Sequence, residues 1–383
     1  MITRLSQYLR NLFPVNGFHF DRPLVLLQSD DWGRVGLRDR KGFEQLSAAG
    51  INVGERPYDF YTLETAEDVA ALGALLSGHQ DSVGRHPCLE MNFVVANLDF
   101  AKSAGGDGRL EFLPLSEGLP EGWSRPGLIE AYRAGIGDGV FYPALHGVTH
   151  FCRSAVQRAT HDRERGKLLA TLWRAGTPYI YWRMPWVGYE YWDPQQPEHE
   201  RFLTRETQRR LIGDAVGAFA KLFSILPHSA CAPGYRANDD THRAWSQHGV
   251  RVAQNGPGKM LPPYVGRYGM LQLTRTIDFE PGADSAFSLE SSLRQAERCF
   301  ERGIPAIVSV HSINFHSTVR DFRSRTLEML DQFLDGLESK HSDLIYLHDE
   351  DLRELIQTGV YRSATGNVPV RVTQQRFIPG PDS

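Results

Sequence analysis

Leu24 to Gly33 reads LVLLQSDDWG, an apolar, β-favouring run that ends on two adjacent carboxylates, Asp30 and Asp31. A short apolar run closed by polar residues and a Gly is the pattern of a strand buried on both faces, and such strands belong to parallel sheets covered by helices. Two carboxylates facing one apolar cavity repel, so a metal or a proton must neutralise one of them. The plainer alternative is a turn acid beside a solvated neighbour.

The same kind of run recurs along the chain as CLEMNFVVANL (88–98), GVFYPALHG (139–147), HSACAPGY (228–235), VRVAQNG (250–256), GMLQLTRTIDF (269–279), AIVSVHSINF (306–315) and DLIYLHD (343–349). Helical patterns stand between, starting near Thr65, Arg163, Thr204, Ser288 and Ser324. Several open on Ser or Thr with an acid or amide three residues later, the signature of a helix N-terminus. Strands alternating with helices predict parallel α/β architecture, and eight strands suit a barrel. The stretch TPYIYWRMPWVGYEYWDPQQP (177–197) has neither period and is crowded with Tyr, Trp and Pro, which predicts a long ordered loop with a functional role. After Tyr361 the periodicity fades into a surface strand or extended arm. There is no internal repeat and no low-complexity tract.

With 41% hydrophobic and 23% charged residues among 383, the chain has material for a large core and is neither disordered nor fibrous. Lys and Arg number 42 against 46 Asp and Glu, without a basic run, so nucleic acid is not the expected partner. Four cysteines lie far apart, at 88, 152, 231 and 299, which fits a reducing compartment. The first residues lack a secretion signal, and no run reaches the ~18 apolar residues of a membrane span. The expected location is the cytoplasm, with weak membrane-surface contact through residues 1–14 as a minor option.

Three further sites lie at predicted strand ends, where an α/β barrel gathers its reactive groups. LHGVTH carries His146 and His150; a spacing of four places both imidazoles on one face of a helical turn, close enough to share a divalent ion with a nearby carboxylate, although HxxxH also arises by chance. In APGYRAND, Pro233 and Gly234 force a turn that frees backbone N–H groups, with Tyr235 and Arg236 as a polar rim; an ordinary turn is the alternative. In SVHSINFH, His311 can protonate a leaving group, and His316 lies past the bend; a satisfied core histidine is the alternative.

Taken in order, DD, HxxxH, PGY and the strand-end His resemble the motif series of the polysaccharide deacetylases, the carbohydrate esterase family 4 group. The likeness covers most of the chain, since THRAWSQHGVRVAQNG and SRTLEMLDQFLDGLESKHSDLIYLHDEDLREL resemble that family's helix and strand after the PGY turn and its closing elements. It implies a deformed (β/α)7–8 barrel with long insertions: one domain over 21–361, insertions near 34–87 and 177–200, an extension 1–20 and a tail 362–383. By resemblance, Asp31, His146 and His150 would bind a divalent metal, Zn2+ first and Co2+, Ni2+ or Fe2+ as alternatives. Asp30 would be the general base, His311 the acid for the departing amine, and the Tyr235 backbone N–H an oxyanion donor. Trp32, Arg236, Trp186, Asn314 and His316 are the candidate substrate contacts, and the aromatic loop is a possible sugar platform.

The chain departs from the family where Cys231 replaces an Arg that steadies the base. Arg236 is the candidate substitute, and Asp278 the candidate carboxylate for tuning His311. The predicted function is a metal-dependent hydrolase removing an N-acyl group, N-acetyl first, from an amino sugar. The expected substrate is a sugar nucleotide, lipid-linked or oligosaccharide precursor in the biosynthesis of surface polysaccharide such as O-antigen (lipopolysaccharide) or capsule. The alternatives are an amide hydrolase acting on a non-sugar small molecule, and a glycan-binding barrel without turnover, suggested by Cys231.

Overall fold

β2 (Leu24–Trp32), the run quoted above, is buried at all nine positions and forms the seam from which the sheet is laid out. The structure, a computed structural model, describes residues 14–103, 109–363 and 366–379. In chain order the other strands are β1 (Val15–Phe20), β3 (Leu89–Val94), β4 (Ala96–Leu98), β5 (Phe112–Pro114), β6 (Phe141–Gly147), β7 (Ser229–Cys231) and β8 (Val252–Asn255). They continue with β9 (Tyr264–Val265), β10 (Leu271–Thr274), β11 (Ile277–Asp278), β12 (Ala306–His311), β13 (Ile345–Tyr346), β14 (Val360–Ser363), β15 (Gly366–Pro369) and β16 (Val372–Phe377).

Parallel pairing runs from β2 through β3, β6, β7 and β8 to β10. On its other side β2 pairs in parallel with β12, and β12 with β11. β10 and β11 are two halves of one segment. The Arg275 N–H donates to Asn255 on β8 at 3.3 Å and the Thr276 N–H to Ile307 on β12 at 2.9 Å, so consecutive amides serve opposite neighbours. The sheet therefore curls until its two parallel edges share the single stretch 271–278, giving seven strands around the interior. The eighth sequence run supplies only β13, which pairs with the start of β2 beside that ring.

Helices cover the outside between successive strands: Ala66–Gly78, Leu128–Gly137, Arg205–Phe223, Asp239–Gln247, Leu289–Glu301 and Arg323–Lys340. Thr65 opens the first with a reciprocal cap, its Oγ accepting from the Asp68 N–H at 3.1 Å while the Asp68 carboxylate accepts from the Thr65 N–H at 2.9 Å. Arg205–Phe223 shows why such helices pack inward, burying Leu211, Ile212, Ala215, Val216, Phe219 and Leu222 at helical spacing. The stretch 177–197 is irregular, with two short 3-10 turns and a Tyr189–Trp192 bridge.

The sequence boundaries of an extension and a tail meet in space. β1 pairs antiparallel with β16 along all six residues and touches β9, which extends the sheet beyond the parallel ring. Of the N-terminal stretch considered for membrane contact, residues 1–13 lie outside the described residues. Among the described residues no helix is long and apolar enough to cross a membrane.

Candidate metal-binding active site

Asp30 and Asp31 both reach the cavity because β2 is bulged: its register with β3 shifts between Ser29 and Trp32, and Asp31 adopts φ 76°, a left-handed conformation uncommon for a residue with a Cβ. Each carboxylate has its own arginine. Arg275 grips Asp30 through two bonds of 2.7 and 2.6 Å, and Asn92 adds a third of 3.0 Å. Arg34 meets the Asp31 Oδ2 at 3.1 Å. Burial alone would raise the Asp30 carboxyl, but Arg275 outweighs it and holds the group far below the usual carboxylate range. The same contest, with Arg34 and the two histidines on the winning side, lowers Asp31. Guanidinium groups thus neutralise the acid pair, where sequence reasoning asked for a metal or a proton.

His146 is the last residue but one of strand β6, and His150 follows a bend that starts at Gly147, φ 128°; helix begins only at Arg153. The two rings converge through this bend, and not through the helical turn that the spacing predicts. Their Nε2 atoms lie 3.5 and 3.1 Å from the Asp31 Oδ1. Each Nδ1 is occupied, His146 by the Cys231 carbonyl at 2.9 Å and His150 by the Tyr179 hydroxyl at 2.9 Å. The Asp31 Oδ1 is buried and receives no hydrogen bond. One carboxylate oxygen and two imidazole nitrogens, turned toward one another at separations near the ~3.4 Å between corners of a tetrahedron with ~2.1 Å bonds, fit a divalent ion. Burial also lowers the His150 pKa well below its ordinary value, favouring the neutral ring a ligand must be.

Across the cavity His311 ends β12, with its Nδ1 2.5 Å from the Glu280 Oε1. Burial opposes the imidazolium, but Glu280 prevails and raises His311 to about 9. Glu280, rather than Asp278, is therefore the carboxylate that sets this histidine; Asp278 is exposed on β11. Asn314 hydrogen-bonds Glu280 and accepts from the Gly282 and Ala283 N–H groups at 2.9 and 3.0 Å, so it braces Glu280 from a buried position and does not face the cavity.

These groups floor a cavity of about 430 Å³ walled by Arg34, Arg56, Tyr58, Tyr61, Tyr179, Tyr181, Trp182, Tyr189 and Tyr235. Other sequence candidates fall outside its lining. Trp32 is fully buried against Phe315 with its N–H on the Ser29 hydroxyl, and His316 is fully buried behind Tyr61 beside Glu64. Trp186 lies under Arg165, and Arg236 sits on Trp192, 5.0 Å from the ring centre, with no bond to Asp30. Arg275 fills the place proposed for Arg236. The Tyr235 N–H donates to the Ala232 carbonyl at 2.8 Å, so it is already engaged and not directed at an oxyanion; the Tyr235 hydroxyl accepts from Arg275 at 3.1 Å.

Sequence reasoning missed Arg34, Arg275, Glu280, Tyr58 and Asp59. Arg275 did leave a signal, the one cation in the strand run GMLQLTRTIDF, because a buried charge needs a partner. Asp59 left none. Its carboxylate accepts from the Gly54, Glu55 and Arg56 N–H groups at 2.8, 2.9 and 3.2 Å, and from the Trp182 indole at 2.6 Å, tying two separate walls together.

No family model and no curated protein matches the chain. Solved structures resemble it in the course of the backbone. A protein of Pseudomonas aeruginosa described as a probable polysaccharide deacetylase has a TM-score of 0.45 at 13% identity, covering 88% of this chain and 92% of that one. A family 4 carbohydrate esterase from Streptomyces lividans gives 0.35 at 11%, covering 85% and 92%. The 4-alpha-glucanotransferase of Thermococcus litoralis gives 0.46 at 9%, covering 89% of this chain and 41% of its own. The chemistry rests on the site's own residues.

Proposed function

We propose that the chain is a metal-dependent hydrolase of the polysaccharide deacetylase kind that removes an N-acyl group, N-acetyl first, from a small amine-bearing substrate. The observation that carries this reading is the buried Asp31 Oδ1, free of hydrogen bonds and facing the Nε2 atoms of His146 and His150. A divalent ion held there, Zn2+ first, would supply Lewis acidity toward a water and an acyl oxygen. Asp30 is held ionised by Arg275 and is suited to accept a proton from attacking water. His311, kept protonated by Glu280, is suited to return a proton to the leaving nitrogen. A base and an acid on the same floor argue for turnover over mere binding.

The finer reading places the substrate among N-acetylated sugar nucleotides or lipid-linked precursors of a surface glycan. Arg56 supports a phosphate-bearing substrate: it lines the cavity, lies 4.3 Å from the centre of the Trp182 ring, and has no carboxylate in ion-pair distance among the described residues. A second reading, a non-sugar amide, is favoured by the cavity wall. The hydroxyls of Tyr61, Tyr179 and Tyr235 are engaged by the Asp31 carbonyl, Arg34 and Arg275, which leaves few free partners for sugar hydroxyls.

Metal analysis of the purified protein and of a His146→Ala, His150→Ala double variant tests the site. About one ion per chain, lost in the variant, supports it; absence of metal after incubation with zinc, cobalt or nickel overturns it. Acetate release from N-acetylated sugars, their phosphates and simple N-acetylated amines then separates the two substrate readings.

A further inference from the structure

Between His146 and His150 run Gly147, Val148 and Thr149, and this bend is held from two sides. On one side the Val95 and Ala96 N–H groups donate to the Gly147 and Val148 carbonyls at 3.0 and 3.1 Å. On the other, the Val148 N–H meets both carboxylate oxygens of Glu190 at 3.1 Å and the Thr149 N–H meets Oε1 at 3.1 Å. The first grip is backbone to backbone and survives most changes of side chain. The second depends on one residue from the aromatic loop. A Cβ added at Gly147 would come 2.1 Å from the Glu190 Oε2, so the carboxylate occupies the space any side chain there would need.

We propose that Glu190 is a positioning residue for the histidine pair, acting through the Val148 and Thr149 amides, so that the aromatic loop and the metal centre form as one unit. The inference rests on the metal reading above. Glu190 is fully buried, and without it two buried amides would lack an acceptor and the bend would relax to find one. A metal site tolerates errors of only about 0.5 Å in its ligands, so a relaxed bend moves His150 out of range of Asp31. The neighbouring Tyr189 lines the cavity and meets the His150 ring edge-on, with centres 5.6 Å apart, so consecutive residues of this loop serve substrate space and ligand geometry.

The test is Zn2+ affinity by competition with a chelator, on wild type, Glu190→Gln and Glu190→Ala, together with metal-free melting temperature and the visible spectrum of the Co2+-loaded protein. Loss of a residue that orients ligands should weaken Zn2+ binding by about 10–100-fold, most in the Ala variant, and alter the Co2+ bands. A purely structural role would lower the metal-free melting temperature while leaving affinity and spectrum unchanged, and that result overturns the proposal. Should Glu190→Ala fail to fold, Glu190→Gln carries the test alone, because its amide keeps the volume. A wild type that binds no metal refutes the metal reading itself, a different outcome from variants that bind as well as wild type.

Discussion

Asp30 and Asp31 are neighbours in sequence with separate electrostatic partners, Arg275 and Arg34, and the proposed reading assigns them different tasks. Arg275 is fully buried and donates to Asp30, Gln28, Gln254, Tyr235 and Ser309, so its removal leaves a buried carboxylate and several acceptors without a donor. Arg275→Met should cost about 3–5 kcal/mol in a urea unfolding series and raise the Asp30 pKa, moving the acid limb of the activity profile to higher pH. Asp30→Asn should abolish acyl release while the protein still binds its metal; retained turnover would remove Asp30 as the base. For His311 the sign runs the other way. Raised to about 9 by Glu280, it stabilises the fold in full below its ordinary value and loses that contribution as pH climbs through about 9. Glu280→Gln should therefore shift the alkaline limb of kcat/KM toward lower pH, a displacement that a pH series on the two proteins would show directly.

At the scale of elements, the active cavity is made by connections. The strands place reactive groups at their ends, and the segments 54–61 and 177–192 roof them, fastened to each other where the Trp182 indole reaches Asp59. Trp182 also lies under the Arg56 and Arg183 guanidiniums, with ring-centre distances of 4.3 and 4.0 Å, so its faces are already in use and Tyr58, 39% exposed at the mouth, is the freer aromatic surface. Asp59→Ala should release both walls, raising KM more than it lowers kcat and costing about 1–3 kcal/mol for the unpaired amides. Kinetics on the variant with a soluble N-acetylated substrate would check the split. Gly147→Ala should likewise lower metal affinity, since its Cβ and Glu190 cannot share one place; calorimetric titration with Zn2+ would show it.

Over the whole molecule, the interior beneath the site is polar and continuous. Gln28 and Gln254 donate to Asp349 at 2.7 and 2.8 Å, and Gln254 also donates to Glu90 at 2.5 Å, linking the base of the barrel to Arg275 and Asp30. Burial, with Asp349 close by, raises the Glu90 pKa well above the usual carboxylate range. The proposed metal site would join β2, through Asp31, to β6, through His146. Bound metal should thus stabilise the fold, by about 2.7 kcal/mol at a free concentration one hundred times Kd. A melting curve with and without chelator would show the drop, and identical curves would remove the ion from the folding equilibrium.

The sequence by itself marked the strands of the parallel ring, because those are largely buried and read as compact apolar runs, and it marked Asp30, Asp31, His146 and His311 because polar residues closing such runs stand out. Thr65, Thr204 and Ser288 announced their helices because caps are local. The tertiary structure alone decided who neutralises whom. Arg275 and Asp30 are 245 positions apart, His311 and Glu280 meet across two strands, and Asp59 meets Trp182 over 123 positions. The first of these exists because the stretch 271–278 changes neighbours and closes the sheet, which brings Arg275 into the interior beside β2, and no local pattern encodes a partner whose distance is set by closure of the ring.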